Sequence, residues 1–388
     1  MKVPKKTPGN KVRKIAAAAG VALIVGASVA GRSGSALQTP ENSHDFSDGS
    51  VSVEEEFGDF VHGAIEKNSA SKNFGEWESS GFTPEDIIGN AAARRGGKKQ
   101  AFAALCAALG TVDDAGLSLF QNELIKPEVR AELPCARDLS MRLSSYWDSR
   151  RAALQAEIDH EHMSHPEFAE KDEQGPLPSD EVHVDTSKGE TLYGSAREGY
   201  LKPGEIVISI DDGPHPTITR KVLNTLKMYG VRANFFSVGR PAKVWPDLDK
   251  AEIAEGHITG SHTMTHPDLA KLDIKSAEAE ITGARKTVAD AAGEAIPFFR
   301  FPYGSHNGVL DAFVKQQQMT SFLWNMDSED WKRPDPTDLF HNEVAQLNNA
   351  KGGIILMHDI HQQTAIALPH LLDELRHRGW KTVVFVPH

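Results

Sequence analysis

Cysteine is almost absent: Cys106 and Cys135 are the only two in 388 residues. Two thiolates cannot build a cysteine-only zinc cluster, so a metal centre here must draw on imidazoles and carboxylates. The pair either forms one disulfide, as an oxidising compartment favours, or stays as two buried thiols. Excess positive charge is missing too. The chain has 42 Lys and Arg against 54 Asp and Glu, a formal net charge of −12. A nucleic-acid binder would carry a basic footprint, and strong adhesion to anionic lipid would also need one. No internal repeat and no low-complexity tract is present. Long apolar runs are lacking outside the N-terminus.

That N-terminus stands apart. Lys2, Lys5, Lys6, Lys11, Arg13 and Lys14 precede an apolar run from Ile15 to Ala30, and small residues follow, including Ser28-Val29-Ala30 and Ser35-Ala36. This is the layout of a secretory signal. The run is short for a membrane span, so an uncleaved anchor is the lesser reading. Residues 1–36 are therefore expected to be a signal peptide or anchor that sends the chain to the periplasm, the cell envelope or the medium. No other membrane association is expected.

Residues 37–52, rich in Ser, Asn and Asp, read as a linker. Residues 53–162 read as a small all-α domain of unassigned role. Phe57, Phe60, Val61 and Ile65 fall at helical spacing, as do Phe102, Leu105, Cys106 and Leu109. A longer stripe runs through Leu139, Leu143, Tyr146, Trp147, Leu154 and Ile158. Thr83-Pro84-Glu85-Asp86 predicts a helix start. Residues 163–200 read as a connector. Its flank holds His160, Glu161, His162 and His165, where a solvated helix end is favoured over a metal site.

From residue 201 to 388 the pattern alternates. Strand-like runs fall near 205–210, 233–238, 257–261, 297–301, 320–326, 353–357 and 381–386. Helix-like runs lie near 218–229, 246–255, 276–292, 307–318, 336–349 and 364–378. Alternating strands and helices predict an α/β domain with a parallel sheet, open or closed into a barrel.

Polar groups follow five of these strands: Asp211-Asp212, His262 to His266, Arg300 to Tyr303, Asp327 to Trp331, and His358-Asp359. In an α/β barrel the C-terminal strand ends open on one face, where active sites are built. His262 and His266, four apart, would share one face of a helical turn and reach one metal. A carboxylate would complete the set, and Asp212 is the natural choice. Two imidazoles and one carboxylate leave positions open for water. Two adjacent carboxylates repel, so Asp211 needs a cation, which Arg300 would supply. Taken alone, Asp211-Asp212-Gly213-Pro214 is good turn chemistry, and a turn is the favoured reading.

Together the motifs resemble the polysaccharide deacetylase family, the NodB-like enzymes of carbohydrate esterase family 4. Ser209-Ile210-Asp211-Asp212-Gly213 is similar to its TFDDG motif, and His262-Thr263-Met264-Thr265-His266-Pro267 to HSxxHP. Arg300-Phe301-Pro302-Tyr303 is similar to RxPY, Asp327-Ser328-Glu329-Asp330-Trp331 to DxxDW, and Leu356-Met357-His358 to LxH. Ser209-Ile210 replaces Thr-Phe, and Thr263 replaces Ser. All five motifs occur in the family order, over about residues 204–388.

The resemblance implies a deformed (β/α) barrel that binds one divalent ion, usually Zn2+, with Co2+, Mn2+ or Ni2+ as alternatives. Asp212, His262 and His266 would hold the ion. Asp211 would be the general base, with Arg300 orienting it. The Tyr303 backbone N–H would hold the oxyanion, and His358, tuned by Asp330, would be the general acid. Trp331, Leu356 and Pro302 would wall the acetyl pocket. The implied substrate is an N-acetylated glycan: peptidoglycan first, with chitin or an O-acetylated glycan as alternatives. A non-catalytic glycan-binding module is the remaining rival.

Overall fold

A computed structural model describes residues 84–93, 98–164, 176–194 and 198–388. The predicted signal, the linker, the 57–65 stripe, Thr83 and His165 lie outside the described residues.

Strand β3 (Glu205–Asp211) is the hub of the sheet. Ile206, Val207, Ile208 and Ile210 are all buried, as expected of a parallel strand covered on both faces. β9 (Gly353–His358) runs along one side of it. On the other side β10 (Lys381–Pro387) pairs with its start and β4 (Asn234–Ser237) with its end. From β4 the order continues through β5 (Ile258–Ser261), β6 (Phe298–Phe299) and β7 (Thr320–Phe322), every pair parallel.

The run predicted as one strand over 320–326 is two. β7 pairs with β6, whereas β8 (Met326–Asp327) pairs with β9. The ring therefore closes through an interrupted strand, which makes it a deformed barrel. Asn325 holds the break. Its side-chain NH2 donates to the carbonyl of Gly352 at 3.1 Å, and its side-chain oxygen accepts from Ile354 N at 2.9 Å. Gly353 makes room: its φ is 149°, and a Cβ there would lie 1.9 Å from Asn325 Oδ1.

Two short strands occur in the stretch read as a connector. β1 (Asp180–Val184) pairs with β10, and β2 (Thr191–Leu192) with β7. Neither shows a long alternating run, which is why periodicity misses them.

The helices between strands follow their apolar spacing. Ile218–Tyr229 buries Ile218, Val222, Leu223 and Leu226, and stops at Gly230 in the left-handed region. Ile274–Ala292 starts at Asp273, whose side chain accepts from the N–H groups of Lys275 and Ser276. Pro336–Asn349 and Gln362–His377 cover one flank of the barrel.

Among the described residues, six helices precede the barrel: Pro84–Ala93, Lys98–Thr111, Asp114–Ser118, Gln121–Leu124, Pro127–Glu132 and Ala136–Ser164. The longest buries Leu139, Leu143, Tyr146, Trp147 and Leu154. This core is shared with the barrel. Leu339 and Phe340 of one outer helix, and Ile366 and Ala367 of the other, belong to the same apolar cluster. Arg150 also pairs with Asp335 at 2.7 Å across the junction. Among the described residues, no helix is long and apolar enough to cross a membrane.

Cys106 and Cys135 are joined by a disulfide, with their Cα atoms 5.7 Å apart. It closes a loop of 29 residues' separation that contains the three short helices. Such a loop constrains the unfolded chain. Replacing both cysteines by alanine is expected to destabilise the helical region by about 2–4 kcal/mol, read as a lower midpoint in thermal or urea unfolding.

Candidate active site

Because the strands are parallel, β3, β5, β6, β8 and β9 all release their next residues at one rim. Asp211 ends β3 opposite His358, which ends β9 in the same register. Ser261 pairs with Asp211's neighbour strand through Ser237, and Phe299 pairs with Ser261. His262 and Arg300 are thus set side by side.

Arg300 is fully buried. Its Nη1 donates to Asp211 Oδ1 at 2.6 Å and to Ser209 Oγ at 3.0 Å. Nε donates to the carbonyl of Phe322 at 3.1 Å, and Nη2 to that of Leu323 at 3.4 Å. The guanidinium lies over the Phe236 ring, 4.2 Å from its centroid. Burial pulls the Arg300 pKa down, and Asp211 opposes it. Asp211 is thereby fixed against a buried cation.

The ligand set lies next to this pair. Asp212 Oδ1 is 3.6 Å from His262 Nε2 and 3.3 Å from His266 Nε2. It is buried and has no hydrogen-bond partner among the described residues. A buried carboxylate oxygen without a partner is costly, so the three groups fit a divalent cation. The His262 tautomer fits too. Its Nδ1–H donates to the carbonyl of Arg300 at 2.8 Å, which turns Nε2 toward Asp212. Burial pushes His262 down to about 4, so the ring is neutral, as a ligand must be. Burial works against the charge of Asp212. The imidazoles of His266, His358 and His262 outweigh it and hold its carboxyl below the usual range.

The two histidines do not share a helical turn. His262 follows β5, and the chain then turns sharply, with Thr263 at φ 65° and His266 at φ 61°. Glu280, on the Ile274–Ala292 helix, clamps this turn. Its carboxylate accepts from Met264 N at 2.9 Å, Thr265 N at 2.8 Å and Thr265 Oγ1 at 2.8 Å. Nothing in the spacing marks Glu280; it reads as one more charge on an amphipathic helix.

Opposite stands His358. Its Nδ1 is 2.6 Å from Asp330 Oδ1, and its Nε2 is 4.0 Å from Asp212 Oδ2. Asp330 is fully buried and also accepts from His358 N and Thr364 Oγ1, while its backbone carbonyl accepts from Gln363. Burial would lower the His358 pKa, but the Asp330 carboxylate overcomes it and raises it well above the ordinary imidazole value. Asp359 turns the other way. It is buried behind Gly213, accepts from Thr219 Oγ1, and burial pushes it up to about 7.

These groups face one cavity of about 630 Å3. Asp211, Asp212, His262, His266 and His358 line it, together with Tyr303, Trp331 and Leu356. Arg300 and Asp330 support it from behind. Pro302 is buried under the Tyr303 turn instead of lining the cavity. Tyr303 has φ 60°, and its ring packs edge-on against His266. His361, which the motifs do not single out, is a further lining residue, near His358. Of the group at the end of the long helix, Glu161 is exposed and lies with Glu157 near His341, away from this cavity.

Residues 198–322 match the profile of the family described as polysaccharide deacetylase. The peptidoglycan-N-acetylglucosamine deacetylase PgdA of Listeria monocytogenes is 35% identical over 178 residues, which is 46% of this chain and 37% of that protein. The chain thus spans well under half the length of that relative. A chitooligosaccharide deacetylase of Azorhizobium caulinodans is 31% identical over 206 residues, covering 49% of this chain and 97% of that one. The solved structure of the Bdellovibrio bacteriovorus peptidoglycan deacetylase Bd3279 superposes with a TM-score of 0.72 at 27% identity, covering 86% of this chain and 95% of that one.

Removing Glu280 takes three hydrogen bonds from the turn that carries His266. Glu280→Ala is expected to weaken divalent-ion binding about 10- to 100-fold, measured by competition with a chromogenic chelator. Arg300→Leu would leave Asp211 buried beside no cation, and about 3–5 kcal/mol of stability should be lost in denaturant unfolding.

Proposed function

The chain belongs to the polysaccharide deacetylase family, and from that premise we propose that it is an exported hydrolase that removes acetyl groups from N-acetylglucosamine residues of peptidoglycan. One observation carries the reading: the Arg300-bound Asp211 and the Asp330-bound His358 line one cavity together with Asp212, His262 and His266. Acid and base are thus held apart by environment, as amide hydrolysis requires.

A divalent ion, with zinc favoured by the donor set, would be held by Asp212, His262 and His266 and would supply Lewis-acid activation of water and of the acetyl carbonyl. Asp211 accepts the proton of the attacking water, and Arg300 fixes its carboxylate for that transfer. The backbone N–H of Tyr303 donates to the developing oxyanion; such a donor contributes about 3 kcal/mol. His358 gives a proton to the sugar nitrogen, which leaves as an amine. Asp330 keeps that imidazole protonated and correctly turned. Trp331 and Leu356 bound the space for the acetyl methyl. The products are acetate and a glucosamine residue.

The Cys106–Cys135 disulfide supports export, since such bonds persist in oxidising compartments. So does the basic and apolar N-terminus. Chitooligosaccharides are the second substrate reading. The high coverage of the rhizobial relative by this chain favours it.

The mature protein with zinc should release acetate from peptidoglycan and leave glucosamine detectable by mass spectrometry; unchanged glycan would overturn the reading. Asp211→Asn should cut the rate by about 100- to 10,000-fold. Asp330→Asn tests the acid. A general acid works when protonated, so activity is present below its pKa and lost above it. Without the Asp330 charge the His358 pKa falls, and the alkaline limb of kcat/KM should move to lower pH.

A further inference from the structure

The cavity has a second wall that the deacetylase chemistry does not use. Gln121, Asn122 and Trp147 line it from the helical region. At about 630 Å3 the cavity is in the range of pockets that enclose ligands larger than one sugar ring.

The polar atoms of this wall are arranged. Trp147 Nε1 donates to Gln121 Oε1 at 2.6 Å. With its oxygen held by the indole, the Gln121 amide keeps its NH2 end for another partner. Next to it, Asn122 Oδ1 is buried with no hydrogen-bond partner among the described residues. On the barrel side, Gln362 Oε1 accepts from Lys221 at 2.5 Å, which leaves the buried Gln362 Nε2 as a donor in the same lining. Each is a buried polar group of the lining without a partner among the described residues, and such groups call for a ligand that can pair with them. A sugar hydroxyl or N-acetyl amide carries both functions.

The wall is also held in place. The Cys106–Cys135 disulfide brackets the segment that carries Gln121 and Asn122. Trp147 is nearly buried in a helix whose apolar stripe is shared with the barrel. A site held before binding loses less on ordering.

We propose that the helical region supplies a glycan subsite, built on Gln121 and Asn122 and propped by Trp147, that binds the sugar next to the one losing its acetyl group. The identity of the ligand rests on the deacetylase reading; the binding site does not require turnover. Gln121 and Asn122 are thus specificity residues, which make the enzyme prefer an oligosaccharide to a single sugar.

The test is calorimetry on the full chain with zinc and the Asp211→Asn change, titrated with N-acetylglucosamine and with its β-1,4-linked trimer. The trimer should bind at least about 10-fold tighter than the monomer, the equivalent of one to two hydrogen bonds. Asn122→Leu should shrink that preference about 5- to 10-fold. Asn122→Asp, which keeps an acceptor oxygen and the shape, should retain most of it and guards against a folding defect. Equal binding of monomer and trimer, or a preference unmoved by Asn122→Leu and Gln121→Leu, overturns the proposal. The two readings separate cleanly. Acetate release by the unaltered protein with no effect of the Asn122 changes sinks the subsite alone. A trimer preference that depends on Asn122 in a protein that releases no acetate supports the subsite and sinks the deacetylase reading.

Discussion

The buried pair of Arg300 and Asp211 is the constraint from which the rest of the site follows. A guanidinium taken wholly out of water is expensive unless every donor is met. Here one carboxylate, one hydroxyl, two backbone carbonyls and an aromatic face meet it. Its own backbone carbonyl then fixes the ring of His262. One residue therefore orients the proposed base, selects the tautomer of a proposed ligand, and ties three strands together.

Around that pair, neighbouring carboxylates take different characters from their surroundings. Asp211 faces a cation from behind, and Asp212 faces imidazoles in front. Asp330 is sealed beneath His358, and its charge sets the state of that ring. Asp359, one residue past His358, has no cation and is pushed toward the neutral form by burial. Four acids within a short radius carry distinct electrostatic roles because each meets a different partner, as expected where desolvation and nearby charge compete.

Much of this was legible in the sequence. Asp211, His262, Arg300 and His358 follow apolar strand-like runs, and a parallel ring must bring such ends to one rim. The pairing of Arg300 with Asp211 follows from the repulsion between adjacent acids. The expectation of a helical turn for His262 and His266 failed, because i, i+4 spacing says nothing of a turn built from left-handed residues. Glu280 stayed hidden, since a single charge on an amphipathic helix has no signature of its partner, and His361 sits just before a helix, outside every motif. β1 and β2 are too short for periodicity to detect. The shared core between the helical region and the barrel was also illegible. An apolar stripe shows that a helix buries a face, but not against what.

The interrupted strand gives the barrel its irregular outline, and its break supplies the chemistry. The carbonyls of Phe322 and Leu323, at the point where β7 gives way to β8, are the ones that accept from Arg300. In a symmetrical ring, backbone oxygens along that stretch would be engaged by neighbouring strands. Here a lapse in the ladder lets main-chain dipoles act as a dry substitute for the hydration shell that the guanidinium gave up. The lost symmetry and the buried cation are two aspects of one adaptation, so restoring a regular strand at 323–325 would repair the geometry and leave the arginine without its solvent.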